Sequence, residues 1–240
     1  MSHPHLPPNI DSLQWVGPED PVYADTGLIH CAYIPPEATR AQPAPLVVML
    51  HGWSGDESSM WIFKRTIPAG VAIIAPRAPL LLDNGGFVWF QYAESRFNPK
   101  WSLVNAAVTK LEHFLSALPR HYPVDPTKLM LMGFSQGAMM CSTLVFSHPF
   151  ETIGVASLAG AVLPLRDVEP QDNLLAGLPV FVAHGTRDEV IPIEYARQTR
   201  TVYAGFGADV TYGEYPTAHK MHTNAFKDLK QWVSRIFPTG

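Results

Sequence analysis

Ser135 stands at the centre of Gly133-Phe134-Ser135-Gln136-Gly137. The pentapeptide follows the apolar run Lys128-Leu129-Met130-Leu131-Met132 and opens a segment, residues 138–147, that reads as a helix. Strand, G-x-S-x-G, helix is a nucleophile elbow: the flanking glycines permit a turn tight enough to stand the serine hydroxyl alone above the sheet edge. A serine hydroxyl is a weak nucleophile near neutral pH. It needs a general base, and the base needs an acid to orient it. The chemistry implied is acyl transfer to serine.

Chain order in such sites runs serine, then acid, then histidine, so the partners are sought after residue 135. An apolar strand at 180–183 runs into His184-Gly185-Thr186-Arg187-Asp188-Glu189-Val190-Ile191-Pro192. Asp188 lies five residues past the strand, in the loop ahead of a helix, and is the candidate acid. Its neighbour Glu189 cannot face the same way. Glu194 falls inside the next helix, and Asp209 precedes its strand. The competing role for Asp188 is to fix a turn or cap a helix. Beyond the strand ending Tyr212-Gly213-Glu214-Tyr215 come His219 and His222. His219 occupies the strand-to-helix loop and is the candidate base. His222 sits near the N-terminus of the last helix, where the dipole disfavours an imidazolium. His184 precedes the acid and is expected to fix its loop by hydrogen bonding. His3 and His5 lie in the N-terminal arm, and His30, His113, His121 and His148 are scattered without metal-ligand spacing. Neither a metal nor an organic cofactor is expected.

An oxyanion needs two backbone donors. One is expected from Gln136, the residue after the nucleophile. The other is expected from Trp53, in His51-Gly52-Trp53-Ser54-Gly55-Asp56-Glu57, the loop after the third strand. Ser54 lacks a strand–turn–helix to present it as a nucleophile. Six aromatics, Phe87, Trp89, Phe90, Tyr92, Phe97 and Trp101, crowd fifteen residues, against 11% aromatics in the whole chain. They follow the turn Asp83-Asn84-Gly85-Gly86. Phe87, Trp89 and Phe90 are expected to wall an apolar acyl pocket. The alternative is that they pack a long loop onto the body.

The elements that must position these groups are legible as texture. Leu46-Val47-Val48-Met49-Leu50 is apolar without alternation, as in a strand buried on both faces, and the same texture recurs at 71–75, 129–132, 153–158 and 180–183. A last strand is expected at 210–215, and one or two edge strands within 13–34. Val104, Val108, Leu111, Leu115 and Leu118 mark one face of a helix that Pro119 should help to end. Pro192 sits near the start of another helix. Phe226, Leu229, Val233 and Ile236 mark the last. Strands alternating with helices predict an α/β fold with a mostly parallel central sheet, helices on both faces and no separate lid domain. In such sheets the site lies beyond the carboxyl ends of the strands.

The chain has 240 residues, 17 basic and 21 acidic side chains and a net charge of −4. It lacks a basic cluster, so nucleic acid and an anionic membrane surface are poor partners. No apolar run approaches the ~20 residues of a membrane span. Met-Ser-His-Pro-His-Leu-Pro-Pro has neither a basic nor an apolar region, so a signal peptide is not expected. Residues 1–12 are expected to form an extended arm and 13–240 one domain. Cys31 and Cys141 lie in apolar surroundings and read as free thiols, in keeping with a cytoplasmic protein. A homodimer is left open.

Taken together, Leu-His-Gly-Trp-Ser-Gly-Asp-Glu (50–57), Ala-Pro-Arg-Ala-Pro (75–79), Trp89-Phe90, Gly-Phe-Ser-Gln-Gly-Ala (133–138), His-Gly-Thr-Arg-Asp-Glu-Val-Ile-Pro (184–192) and Ala-His-Lys-Met (218–221) resemble the phospholipase/carboxylesterase family of small serine hydrolases. The likeness covers roughly residues 45–237 and includes acyl-protein thioesterases and bacterial carboxylesterases. It implies a lidless α/β hydrolase with nucleophile Ser135, acid Asp188, base His219 and oxyanion donors Trp53 and Gln136. Two positions depart from the family pattern: Ala218, where glycine usually precedes the histidine, and Gln91, where an acid often follows Trp-Phe. The expected reaction is hydrolysis of small carboxylic esters or thioesters with short to medium acyl chains. The alternatives are lysophospholipase or acyl-protein thioesterase activity, and a non-catalytic ligand-binding module on the same fold.

Overall fold

Along residues 46–50 alternate side chains leave the strand on opposite faces, and every one of them is buried. Leu46, Val48 and Leu50 enter one apolar layer, and Val47 and Met49 the other. Ala72 and Ile74 oppose Ile73 and Ala75 in the same way, as do Leu129 and Leu131 against Met130 and Met132, and Val180 and Val182 against Phe181 and Ala183. A strand buried on both faces cannot alternate polar with apolar residues, hence its uniform texture.

The computed structural model describes residues 13–83, 85–93, 98–147, 152–164 and 173–238. In chain order the strands are β1 (Leu13–Val16), β2 (His30–Tyr33), β3 (Ala44–Leu50), β4 (Ala72–Pro76), β5 (Leu80–Leu81), β6 (Phe87–Val88), β7 (Val124–Phe134), β8 (Thr152–Leu158), β9 (Pro179–Gly185) and β10 (Asp209–Tyr215). The helices are α1 (Pro21–Thr26), α2 (Trp101–His121), α3 (Gln136–Ser147), α4 (Ile193–Gly205) and α5 (Thr223–Ile236), with a 3₁₀ helix at Trp61–Thr66. Eight strands form one sheet in the order β1-β2-β4-β3-β7-β8-β9-β10. The pairs from β4 through β3, β7, β8 and β9 to β10 are parallel, whereas β1–β2 and β2–β4 are antiparallel. Helices α2, α3 and α4 cover one face with residues such as Leu111, Met140 and Tyr203. The 3₁₀ helix and α5 cover the other with Trp61, Phe63, Leu229 and Trp232. β5 and β6 form a separate antiparallel hairpin.

Three expectations are corrected. Residues 13–34 contain two strands, but only β1 is at the sheet edge; β2 lies between β1 and β4, and helix α1 separates the two strands in the chain. Asp20 caps it by accepting the Val22 N–H at 2.8 Å, Pro21 opens it and Gly27, at φ 73°, ends it. Helix α2 runs past Pro119 to His121, and the Tyr122 N–H still closes on Leu118 O. A proline lacks only its own N–H, so the turn beyond it can form. Of the aromatic stretch 87–101, Phe87, Trp89 and Phe90 form no pocket wall, as described below. The expected N-terminal arm lies outside the described residues. Cys31 and Cys141 are buried in opposite layers of the sheet, each as a free thiol. No described helix is long and apolar enough to cross a membrane.

Candidate active site

The sheet delivers its loops to one edge. β7 ends at Phe134, α3 begins at Gln136, and Ser135 alone spans the turn with φ 53°. The left-handed strain rests on the serine itself, a residue that rarely adopts it. The flanking glycines act by close approach. A Cβ on Gly137 would lie 2.0 Å from Leu50 O, and one on Gly133 would lie 2.4 Å from the Gly137 carbonyl. The Ser135 N–H is spent on Leu158 O at 2.8 Å, which ties the elbow to β8.

β9 ends at Gly185 and its loop carries Asp188, whose side chain is wholly buried. Asp188 bonds both to the turn that follows it and to His219. Its Oδ1 accepts the N–H groups of Val190 and Ile191, each at 2.9 Å, and so fixes the turn ahead of α4. Its Oδ2 accepts from His219 Nδ1 at 2.7 Å. The same imidazole presents Nε2 to Ser135 Oγ at 2.9 Å. That tautomer has Nδ1 protonated and Nε2 free to accept the serine proton. Phe134 packs against the His219 ring, with centroids 5.1 Å apart. His222 serves elsewhere: its Nδ1 accepts the Asn224 N–H and caps α5. Glu189 and Glu194 are exposed.

His184 has a second part that its position in the sequence did not reveal. Its Nε2–H donates to Ile191 O at 2.8 Å and lies 3.3 Å from Asp188 Oδ2. Burial pushes its pKa down, against the pull of the Ile191 carbonyl and of Asp188, and favours this neutral donor form. Asp188 is therefore held by two backbone N–H groups and flanked by two imidazoles.

Trp53 and Gln136 both line the cleft at Ser135. As the first residue of α3, Gln136 has a backbone N–H with no acceptor inside its helix. Its side chain is buried: Oε1 accepts the Trp89 N–H at 2.9 Å and Nε2 donates to Phe90 O at 2.8 Å. This explains the fate of the predicted pocket aromatics. Trp89 and Phe90 are fully buried behind the site. Trp89 Nε1–H donates to His51 O at 2.9 Å. His51 Nδ1–H donates to Gly52 O at 2.7 Å, and Nε2 accepts the Ala78 N–H at 2.9 Å. Burial, opposed by the Gly52 carbonyl, lowers the His51 pKa to about 4 and keeps it neutral in both roles. The Phe87 N–H donates to Gly55 O at 3.1 Å, and its ring covers the Arg77 guanidinium at 4.5 Å. These aromatics brace the loop 52–57. Phe97 lies outside the described residues, Trp101 opens α2, and Tyr92 lines the cleft and stacks on Trp53 at 5.6 Å.

A clamp on that loop was also missed. Glu57 is fully buried. Its carboxylate accepts from Arg77 at 2.5 and 2.6 Å and from Trp15 Nε1 at 2.8 Å. Burial alone would raise its pKa, but Arg77 and Trp15 outweigh that and hold it below the usual glutamate value. The signal was present in Gly55-Asp56-Glu57 and Ala75-Pro76-Arg77, yet no spacing rule pairs residues twenty positions apart.

The cleft has a volume of about 800 Å³. Besides Ser135 and His219 it is lined by apolar side chains from the opposite wall, among them Met60, Phe63, Met221 and Phe226. Exposed Trp53, Ile62 and Val190 also lie along it. Among the described residues, no group of three or more His, Cys, Asp or Glu is placed to hold a metal ion. The site can therefore present an activated hydroxyl to the acyl carbon of a largely apolar molecule, with backbone N–H groups nearby for the oxygen.

Comparison with known proteins bears on this arrangement. A family model described as phospholipase/carboxylesterase matches residues 31–236. Acyl-protein thioesterase 1 of Debaryomyces hansenii is 27% identical over 222 residues, covering 83% of this chain and 94% of that protein. Acyl-protein thioesterase 1 of Kluyveromyces lactis is 27% identical over 217 residues, covering 82% and 95%. The crystal structure of a Bacillus cereus carboxylesterase superposes with a TM-score of 0.78 at 20% identity, covering 90% of this chain and 97% of that one, so the fold is shared.

Proposed function

The chain belongs to the phospholipase/carboxylesterase family, and from that premise we propose that it hydrolyses carboxylic esters and thioesters of small acyl substrates through an acyl-enzyme on Ser135. The observation that carries this reading is the unbroken relay from Asp188 Oδ2 through both nitrogens of His219 to Ser135 Oγ, with bonds of 2.7 and 2.9 Å.

Substrate lies in the cleft with its acyl carbon against Ser135. His219 Nε2 takes the serine proton as Oγ attacks. The carbonyl π pair moves onto oxygen, where the N–H groups of Trp53 and Gln136 meet it. Each such donor is worth about 100- to 1,000-fold in turnover. Asp188 holds the His219 tautomer and stabilises the imidazolium. The tetrahedral intermediate collapses, the bond to the leaving group breaks, and His219 returns the proton to the departing alkoxide or thiolate. Water then enters, gives a proton to His219 and attacks the acyl carbon. Collapse releases the acid and restores the serine proton.

Two relatives named acyl-protein thioesterase favour testing thioesters beside oxygen esters. Purified protein and Ser135→Ala are compared on p-nitrophenyl esters and on an acyl thioester. The wild type should turn over one or both, and the variant should lose at least about 10⁴-fold with an unchanged melting transition. A folded Ser135→Ala protein of wild-type activity would overturn the reading.

A further inference from the structure

Met139 lies one helical turn beyond Ser135 on α3 and is almost wholly buried. Its side chain lines two cavities. One is the 800 Å³ cleft that holds Ser135, and the other is a cavity of about 230 Å³ between the loop after β8 and helix α4. Ala161, Val162 and Leu163 line one side of this second space, and Thr199 and Val202 the other. Thr199 Oγ1 already accepts the Val162 N–H at 3.0 Å, so that buried hydroxyl is engaged within the wall. The remaining surface is mainly apolar, with Tyr195 and Gln198 also on the α4 side. The space exceeds the ~150 Å³ that suffices to bind benzene in an apolar protein interior.

Met139 is suited to a movable partition. A methionine is unbranched, with three rotatable bonds, and swings without moving its helix. Its resting position has a defined hold: the Tyr92 hydroxyl donates to Sδ at 3.7 Å, and the Tyr92 ring lies stacked on Trp53. Trp53, Tyr92 and Met139 thus form a row along the cleft wall, the first beside the oxyanion position and the last against the second cavity.

We propose that Met139 is a specificity-determining gate: it ends the acyl cleft, and the cavity behind it is a second acyl subsite that longer, unbranched chains enter when the thioether swings aside. The proposal rests on Ser135 being the acylated residue. Retained hydrolysis by Ser135→Ala would remove that premise whatever Met139 does.

The test uses a p-nitrophenyl ester series from acetate to palmitate and the wild type, Met139→Ala, Val202→Phe and the double variant. Met139→Ala should raise the kcat/KM ratio of long over short chains by about tenfold or more, since a single well-placed methylene is worth that much. Val202→Phe, which fills the second cavity from α4, should leave short chains unchanged, slow long chains in the otherwise wild-type protein, and abolish the Met139→Ala gain in the double variant. Met139→Leu keeps the volume but stiffens the side chain, and should slow long chains relative to short ones even if Met139→Ala folds poorly. A chain-length profile in Met139→Ala and Met139→Leu that parallels the wild type, with melting transitions intact, would overturn the gate. So would a gain in Met139→Ala that Val202→Phe fails to reverse, because the extra room would then lie in the main cleft.

Discussion

Ser135 carries a φ of 53° between a strand and a helix, and His219 meets its hydroxyl while His222 caps α5 three residues away. The two histidines therefore make separable predictions. His219→Ala should cost about 10⁴-fold in kcat with little loss of stability. His222→Ala should cost about 1 kcal/mol of stability, the usual worth of an N-cap, and little activity. Steady-state kinetics beside urea unfolding distinguishes them, and the reverse ranking would move the base to His222. At this scale the sequence was informative where a residue's place followed from its element. Ser135, Asp188 and His219 each stand just past a parallel strand, and such positions converge. Orientation was less legible. Trp89 and Phe90 have the composition of a pocket wall, but nothing local says which way they face. Their backbone is held by Gln136, nearly fifty positions away.

At the scale of elements, the loop 52–57 is the part whose shape depends most on its surroundings. It is tied to β1 by Trp15, to the end of β4 by Arg77, to the β5–β6 hairpin by Phe87 and to its own start by His51. Glu57 is the centre of that clamp. Glu57→Gln keeps the shape but leaves the mostly buried Arg77 without its counter-charge. Breaking a buried pair in this way costs about 3 kcal/mol. Because the loop carries Trp53, the proposed oxyanion donor, kcat should also fall about tenfold, part of the worth of one such donor, with KM little changed. Urea unfolding and initial-rate kinetics check both. Unchanged kcat in a destabilised variant would confine Glu57 to holding the fold. The clamp was illegible in the sequence because a buried charge pair between distant loops has no periodicity.

For the whole molecule, the parallel sheet was readable because double-sided burial leaves no room for polar alternation. The antiparallel edge was read less fully. Asp20-Pro21 and Gly27 carry the cap signals of a short helix, but a six-residue helix shows too few turns to display a stripe. Burial on both faces also shapes the response to pH. His30 is fully buried, donating from Nδ1 to Leu28 O and accepting the Tyr122 hydroxyl at Nε2. Burial lowers its pKa to about 4, and His51 is lowered to the same value. Unfolded, each takes up a proton near about pH 6.5. Their contribution is full above that pH and is lost as pH falls toward about 4, at up to about 1.4 kcal/mol per pH unit for each histidine. Urea unfolding between those limits should show the decline. His30→Leu should lose stability at neutral pH yet show a shallower slope below it. A wild-type stability flat across that range would contradict the buried neutral assignment.

The relay from Asp188 through His219 to Ser135 is most directly tested by covalent labelling. The native protein is treated with a fluorophosphonate, digested and mapped by mass spectrometry, with Ser135→Ala alongside. The expected result is a single adduct on the peptide containing Ser135, absent from the variant and suppressed in His219→Ala. An adduct on Ser54, or undiminished labelling of Ser135→Ala, would contradict it.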